Sequence, residues 1–392
     1  MGNFRNMDRL LKKFADKTVP GCACTIMRNE EVVYEGFAGY ADLEQKKLIN
    51  SESMFRQAST TKLFTYVIIG MLYEEGEFLL TDPIYEYLPE WRNTKKFVTQ
   101  PNGVLEVVPT ERPITIRDAV IMSCGLPYCM GPVAPDNKQP TLRAMSDAIT
   151  PLLKKGTPTL RDEVRVMADV PIMFEPGSHW MYGYGSEITG AIVEVITGKP
   201  LRQVFSERII EPLELKNTGT FFSGTFRDQL VANYSKTEEG KFIKSSIEAD
   251  DVFDQDKTPA GARVFLMSSC SDFAIFMQML ANGGKYKGEQ LIGRKTIDLI
   301  RTNQLNDEQL KDFTNPYLAG YGYGLGFRTL MDKGAGQHNG SIGAFGWTGG
   351  SGIWAEADPS ECMSIAYMHN MRPNEEMYHH LRVRAVAYGC ME

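Results

Sequence analysis

The sequence predicts an α+β fold, with a central antiparallel sheet drawn from both chain ends, flanked by helices, and a mainly helical lobe set between them. Three observations predict it. β-rich runs gather near the two ends of the chain, and helical patterns broken by proline- and glycine-bearing loops fill the middle. The 392 residues also exceed what one hydrophobic core usually organises, so two lobes sharing a cleft are expected. The division that follows is one unit over 1–392, with 1–80 and 236–392 forming an α/β lobe and 81–235 a mainly helical lobe.

Met1 to Lys17 places Met7, Leu10, Leu11 and Phe14 at helical spacing among charged residues, which predicts an amphipathic helix. It lacks a long apolar stretch and a small-residue cleavage site, so no secretory signal peptide is predicted. Gly21–Met27 and Val32–Tyr40 read as a hairpin across Arg28-Asn29-Glu30-Glu31. Thr60–Tyr73 is helical, with Leu63, Val67, Ile68 and Leu72 apolar and Gly76 as its stop, which sets Ser59 at a helix start. Ile116–Met122 and Glu187–Thr197 are helices of the middle lobe. Val264–Met267 leads into a helix over Ser271–Leu280, ended by Asn282-Gly283-Gly284, and another helix covers Arg294–Thr302. Tyr323–Thr329, Gly352–Ala357 and Cys362–His369 are strands, and Tyr378–Tyr388 is a closing helix. Asn93–Glu111 and Gly131–Asp162 carry no periodic signal.

The composition, 43% hydrophobic and 23% charged, is that of an ordinary globular protein. A net charge of −7 with scattered lysines and arginines leaves no footprint for nucleic acid and suits a small neutral substrate. No run approaches the roughly 20 apolar residues needed to cross a bilayer. Seven cysteines, an odd number without a CxxC pair, are read as reduced thiols; Cys22 and Cys24 share a strand face but sit too far apart to bridge easily. These features predict a soluble, cytoplasmic protein, with a homo-oligomer allowed. None of the five histidines has metal-ligand spacing, and His379-His380 is read as surface or interface, so neither metal nor cofactor is expected.

The chemistry begins at Ser59-Thr60-Thr61-Lys62, the only S-x-x-K in the chain. Serine and lysine three apart on a helix share a face one turn apart. A serine at a helix start also meets free N–H groups and the positive dipole end, which favour a developing oxyanion. Lysine acts as a base where burial or positive charge lowers its pKa, so apolar Phe55, Leu63 and Phe64 bear on Lys62. The chain has no G-x-S-x-G elbow and no G-x-x-x-x-G-K-[ST] phosphate loop.

Ser59-Thr60-Thr61-Lys62 after Phe55-Arg56-Gln57-Ala58, followed by a helix and Leu80-Thr81-Asp82-Pro83, resembles the first motif of class C β-lactamases and their related esterases, within the serine β-lactamase and DD-peptidase type. The resemblance runs along nearly the whole chain. Ile114-Thr115-Ile116-Arg117-Asp118 with Cys124-Gly125-Leu126-Pro127 is similar to the family segment H-T-S-G-L-P, Met122 and Cys124 replacing its histidine and serine. Pro176 to Tyr184 is similar to the second motif, which makes Tyr182 the tyrosine that approaches the nucleophile. Tyr184 stands where β-lactamases carry a substrate-orienting asparagine. Phe345-Gly346-Trp347-Thr348-Gly349-Gly350 resembles the edge-strand K-T-G element, tryptophan replacing lysine as is common in family VIII carboxylesterases.

The resemblance implies acyl transfer through a Ser59 acyl-enzyme, with Lys62 and Tyr182 moving the proton and the N–H groups of Ser59 and Gly350 forming the oxyanion hole. Tyr184, Trp347, Thr348, Gly349 and Arg263 are the expected substrate-binding residues, and a small-molecule carboxylic ester is the expected substrate. Arg263, after Pro259-Ala260-Gly261-Ala262, either replaces the lost cation or, on the favoured reading, forms a surface ion pair. An acyltransferase with the same acyl-enzyme, a β-lactam or D-amino-acid peptide hydrolase, and a non-catalytic binding protein are the alternatives.

Overall fold

The computed structural model describes residues 4–129, 133–134 and 136–391, apart from the side chains of 247–249. Met1 to Asn3 of the expected first helix, and Gly131, Pro132 and Pro135 of the 131–162 stretch, lie outside the described residues.

The first helix, α1 (Arg5–Lys17), buries Met7, Leu11 and Phe14, the apolar stripe its spacing predicts. Strands β1 (Gly21–Arg28) and β2 (Glu31–Asp42) form the expected hairpin. Asn29 and Glu30 both take positive φ, 53° and 67°, the turn whose twist matches two antiparallel strands. After β3 (Lys47–Leu48), strand β4 (Met54–Arg56) leads directly to the turn carrying Ser59, and α2 (Thr61–Glu74) follows. The middle of the chain contains α3 (Ile116–Val120), α4 (Pro140–Leu153), α5 (Leu160–Met167) and α6 (Gly185–Thr197). The stretch 93–111, without a periodic signal, holds a hairpin of Lys95–Thr99 with Leu105–Pro109.

Strand β5 (Met267–Ser269) pairs with β4, and α7 (Cys270–Ala281) follows. The chain closes with β6 (Tyr321–Tyr323), β7 (Arg328–Leu330), β8 (Phe345–Gly349), β9 (Ile353–Asp358), β10 (Met363–Met368) and α8 (Glu376–Gly389). The main sheet has eight strands in the order β6-β7-β8-β9-β10-β1-β2-β3, every neighbour antiparallel. Its centre is the pairing of β1 with β10, which joins the two ends of the chain. One face packs on α7, continuous with the core around α2 and α6; α1 and α8 cover the other.

Three expectations need correction. Tyr323–Thr329 is two strands rather than one: the chain reverses at Gly326 (φ +85°), where a Cβ would lie 1.9 Å from the Tyr66 ring. The segment Phe345–Gly349 is internal rather than an edge, paired with β9 along its length; on its other side β7 reaches only Phe345 and Gly346, so Trp347 to Gly349 are open there. His379 and His380 are not on the surface. They are 0% and 3% exposed, because α8 is clamped between α1 and β10. His379 meets Phe14 edge-on at 4.6 Å, and its Nε2 lies 2.9 Å from Thr18 Oγ1. Burial pushes the His379 pKa down to about 4, and those of His380 and the neighbouring His369 well below the usual histidine range.

All seven cysteines are free thiols. Burial pushes the Cys22 thiol up to about 12, making it a packing group rather than a nucleophile. No helix among the described residues is long and apolar enough to cross a membrane.

Candidate active site

Ser59 is held by the β4–β5 pairing. The Gln57 N–H donates to Leu266 O at 2.8 Å, and its side-chain amide donates to Phe55 O and Ser268 O at 3.0 and 3.3 Å. From this anchored residue the chain passes through Ala58 in a left-handed conformation, φ +48°, unusual for a residue with a Cβ. The 3-10 turn Ala58–Thr60 then feeds α2. Ser59 is half-buried at the positive end of that helix, as the spacing predicts. Lys62 stands one turn further on, its Nζ 5.3 Å from the centre of the Tyr182 ring and 5.4 Å from that of Tyr128.

Tyr182 arrives on the loop before α6, and the structure explains why the Cys124-to-Pro127 segment accompanies it. Backbone bonds run from Met181 N to Met122 O (2.8 Å) and from Tyr184 N to Leu126 O (3.1 Å). Gly183 permits this approach, since a Cβ there would lie 1.8 Å from Leu126 O. The Tyr182 ring stacks on Trp347 at 5.5 Å, and the indole Nε1–H donates to the Tyr182 hydroxyl at 3.2 Å. Gly349 brings β8 against the Ser59 turn: a Cβ there would lie 2.5 Å from Gln57 O. Among the described residues, the N–H groups of Ser59 and Gly350 enter no turn hydrogen bond.

Two chambers meet at Ser59 and Tyr182. A helical-side chamber of about 230 Å³ is lined also by Lys62, Thr65, Tyr128, Leu160, Leu201, Val264, Phe265, Ser186, Glu187, Arg263 and Arg372. A sheet-side chamber of about 340 Å³ is lined also by Trp180, Asp312, Asn315, Tyr317, Trp347, Thr348, Gly350, Asn374 and Glu376. Ser59, Lys62 and Tyr182 thus converge on one cavity, and Trp347, Thr348 and Gly350 on its neighbour.

Three of the expected substrate-binding residues are placed otherwise. Gly349 lines neither chamber, its backbone being packed against the Ser59 turn. Tyr184 lines neither chamber: it is 1% exposed and its hydroxyl donates to Cys129 O at 2.7 Å, because the turn into α6 directs it into the core. Arg263 does line the cavity, but the surface ion pair is replaced by a buried one. Its guanidinium donates to Glu163 and lies 3.8 Å from Glu187, with the three side chains 19%, 7% and 8% exposed. Burial works against the Arg263 charge, yet the two carboxylates outweigh it and raise its pKa, so this cation is already neutralised.

Several lining residues were not singled out from the sequence. Tyr128 is the clearest. Its hydroxyl contacts Glu187 at 3.2 Å, and burial, followed by the Glu187 charge, pushes its pKa well above the usual tyrosine range. Its position directly after Gly125-Leu126-Pro127, the segment that holds the Tyr182 loop, was the available signal. Asp312, Tyr317, Asn374 and Glu376 gave none, since they come from separate elements. Among the described residues, no group of three or more His, Cys, Asp or Glu side chains could hold a metal ion.

An antiparallel sheet joined from both chain ends, with a serine at the start of a buried helix facing a tyrosine loop and a glycine-rich strand, is the β-lactamase and penicillin-binding-protein type of fold, a class of serine hydrolases. The chain belongs to the beta-lactamase family, which it matches over residues 7–388. It is 26% identical over 353 residues to Protein Rv1367c of Mycobacterium tuberculosis, covering 89% of this chain and 85% of that protein. It is 27% identical over 209 residues to Esterase EstB of Burkholderia gladioli, covering 52% of this chain and 48% of that one. Among solved structures, that of "EstCE1, a hydrolase with promiscuous acyltransferase activity" superposes with a TM-score of 0.77 at 24% identity, covering 97% of each chain.

Proposed function

We propose that this serine hydrolase cleaves carboxylic esters of small molecules through a Ser59 acyl-enzyme. The observation that carries the reading is the convergence of Ser59, Lys62 and Tyr182 on one cavity, with the Tyr182 hydroxyl held by the Trp347 indole. Ser59 Oγ attacks the ester carbonyl while its proton passes to Lys62 and Tyr182, and the N–H groups of Ser59 and Gly350 hold the oxyanion. The C–O bond to the alcohol breaks as Tyr182 returns a proton to it, and water then releases the acid by the reverse proton path. Esters are favoured over lactams because Trp347 replaces the lysine that would hold a lactam's carboxylate, and because Tyr184 faces away from the cavity. The similarity to Esterase EstB points the same way.

The description of EstCE1 supports a second reading, in which an alcohol rather than water takes the acyl group. Adding such an alcohol during turnover and assaying for the new ester separates the two. The free thiols support a reducing, cytoplasmic setting. The decisive test is a fluorophosphonate probe together with a nitrophenyl-ester series. The wild type should be labelled and active, and Ser59→Ala should lose both. Retained ester hydrolysis in Ser59→Ala would falsify the assignment.

A further inference from the structure

The sheet-side chamber carries an unbalanced charge. Its described lining includes two carboxylates, Asp312 and Glu376, and no lysine or arginine. Its walls are aromatic: Trp180, Tyr317 and Trp347, with Tyr182 at the junction. Carboxylates set among aromatic faces suit a cation, which the rings attract through their quadrupoles and the acids through charge. The groups behind the walls offset this only in part. Arg328, buried at 3% exposure with its guanidinium 5.4 Å from the Tyr317 ring centre, divides its charge between Glu376 and Glu356. Burial outweighs that pull and holds the Glu376 carboxyl above its ordinary range, so a bound cation would restore the charge that burial disfavours. His179 Nδ1 lies 3.0 Å from Asp312 Oδ2, and the Trp180 N–H donates to the same oxygen at 3.0 Å. Asp312 Oδ2 takes both of these contacts, and the Asp312 side chain is 32% exposed where it lines the chamber.

The chambers also differ in what each can do for an ester. The Tyr182 hydroxyl, which would protonate the departing alcohol, is bonded to Trp347, a wall of the sheet-side chamber alone. The alcohol therefore belongs on that side, and the acyl group in the more apolar helical-side chamber. Resting on the ester-hydrolase reading above, we propose that the sheet-side chamber selects esters whose alcohol carries a quaternary or protonated ammonium group, bound by Glu376 and Asp312 between Trp180, Tyr317 and Trp347.

The test compares propionylcholine with 3,3-dimethylbutyl propionate, in which an uncharged carbon replaces the ammonium nitrogen. In the wild type, kcat/KM should favour the choline ester by about tenfold or more, and the ratio should fall as salt is added. Glu376→Gln and Asp312→Asn should each lower the ratio, and the double variant should bring it close to unity, with thermal melts verifying that the variants fold. A wild-type ratio at or below one, or a ratio unchanged in the double variant, overturns the proposal while leaving ester hydrolysis intact. So does a glyceryl ester outrunning both, which would assign the chamber to polyols. If neither ester is turned over, the ester reading fails separately, and the chamber is judged by protection. Choline should slow fluorophosphonate labelling of Ser59 at concentrations where 3,3-dimethylbutanol does not, and equal protection by the two overturns the cation assignment.

Discussion

The two chambers that meet at Ser59 are built on opposite electrostatic plans. On the helical side Arg263 lies in the wall with its charge met by Glu163 and Glu187, Lys62 and Arg372 are the other cations of the lining, and aliphatic and aromatic side chains make up much of the rest. On the sheet side two carboxylates stand among aromatic rings, and Arg328, behind the Tyr317 ring, shares its charge between Glu376 and Glu356. The lesson is that a charged side chain in a wall does not define a pocket's polarity; what matters is whether its partner is supplied by the fold or left to the substrate.

The sharpest way to break the comparison is at the junction. Lys62→Ala and Tyr182→Phe should each lower kcat/KM by roughly 10²–10⁴-fold. For Tyr182→Phe the loss should be greater with an alkyl ester, whose alcohol needs a proton to leave, than with a nitrophenyl ester. Equal losses would remove Tyr182 from the proton path and leave the sheet side without its claim to the alcohol.

The helical side is tested through its ion triad. Arg263→Met leaves Glu163 and Glu187 buried without their cation and should cost about 3–5 kcal/mol in urea unfolding. Lys311→Met, from the exposed Lys311–Glu308 pair, should change little. A small effect at Arg263 would mean that the buried carboxyls take up protons once their cation is gone.

The sheet side rests on a different foundation. A Cβ at Gly352, in the turn between β8 and β9, would lie 1.9 Å from the His369 ring, and His379 and His380 lie close by. Their surroundings are the Phe14, Trp354 and Tyr367 rings. Glu375 favours the His379 charge and Lys236 and Arg382 oppose it, while Arg328 opposes that of His380. Because the folded-state pKa values are depressed, the unfolded chain binds protons that the native state refuses. Stability is therefore full above the ordinary histidine value of 6.5 and is lost as pH falls, for His379 down to about 4. Each histidine contributes at most about 1.4 kcal/mol per pH unit in that window. His380→Phe should flatten the melting-temperature profile between pH 6.5 and 5; parallel profiles for variant and wild type would exclude the cluster. The smallest effect on turnover is expected from Trp347→Phe, which removes one neutral hydrogen bond to Tyr182. It should cost about 0.5–1.5 kcal/mol in kcat/KM.

Much of this was legible because it is local. The α1 stripe, the β1–β2 turn and the Ser59–Lys62 spacing depend on residues within one or two turns of each other. The misplacements share a cause. Tyr184 was assigned by analogy with a position, but its direction is set by the turn into α6. Arg263 looked like a surface charge because both of its partners lie 76 or more positions away in the chain. His379-His380 looked exposed because α8 shows no apolar stripe, and only the contact with α1 on one side and β10 on the other reveals that it is enclosed.

The order of the main helices and strands and the placing of Ser59 and Lys62 one turn apart at a helix start were decided by the chain alone, since periodicity and short spacing dictate them whatever surrounds them. The polarity of the two chambers was decided only by tertiary structure. Whether a carboxylate is spent on an arginine or left facing a cavity is a matter of which distant segments come within a few ångströms, and near neighbours along the chain carry no record of that.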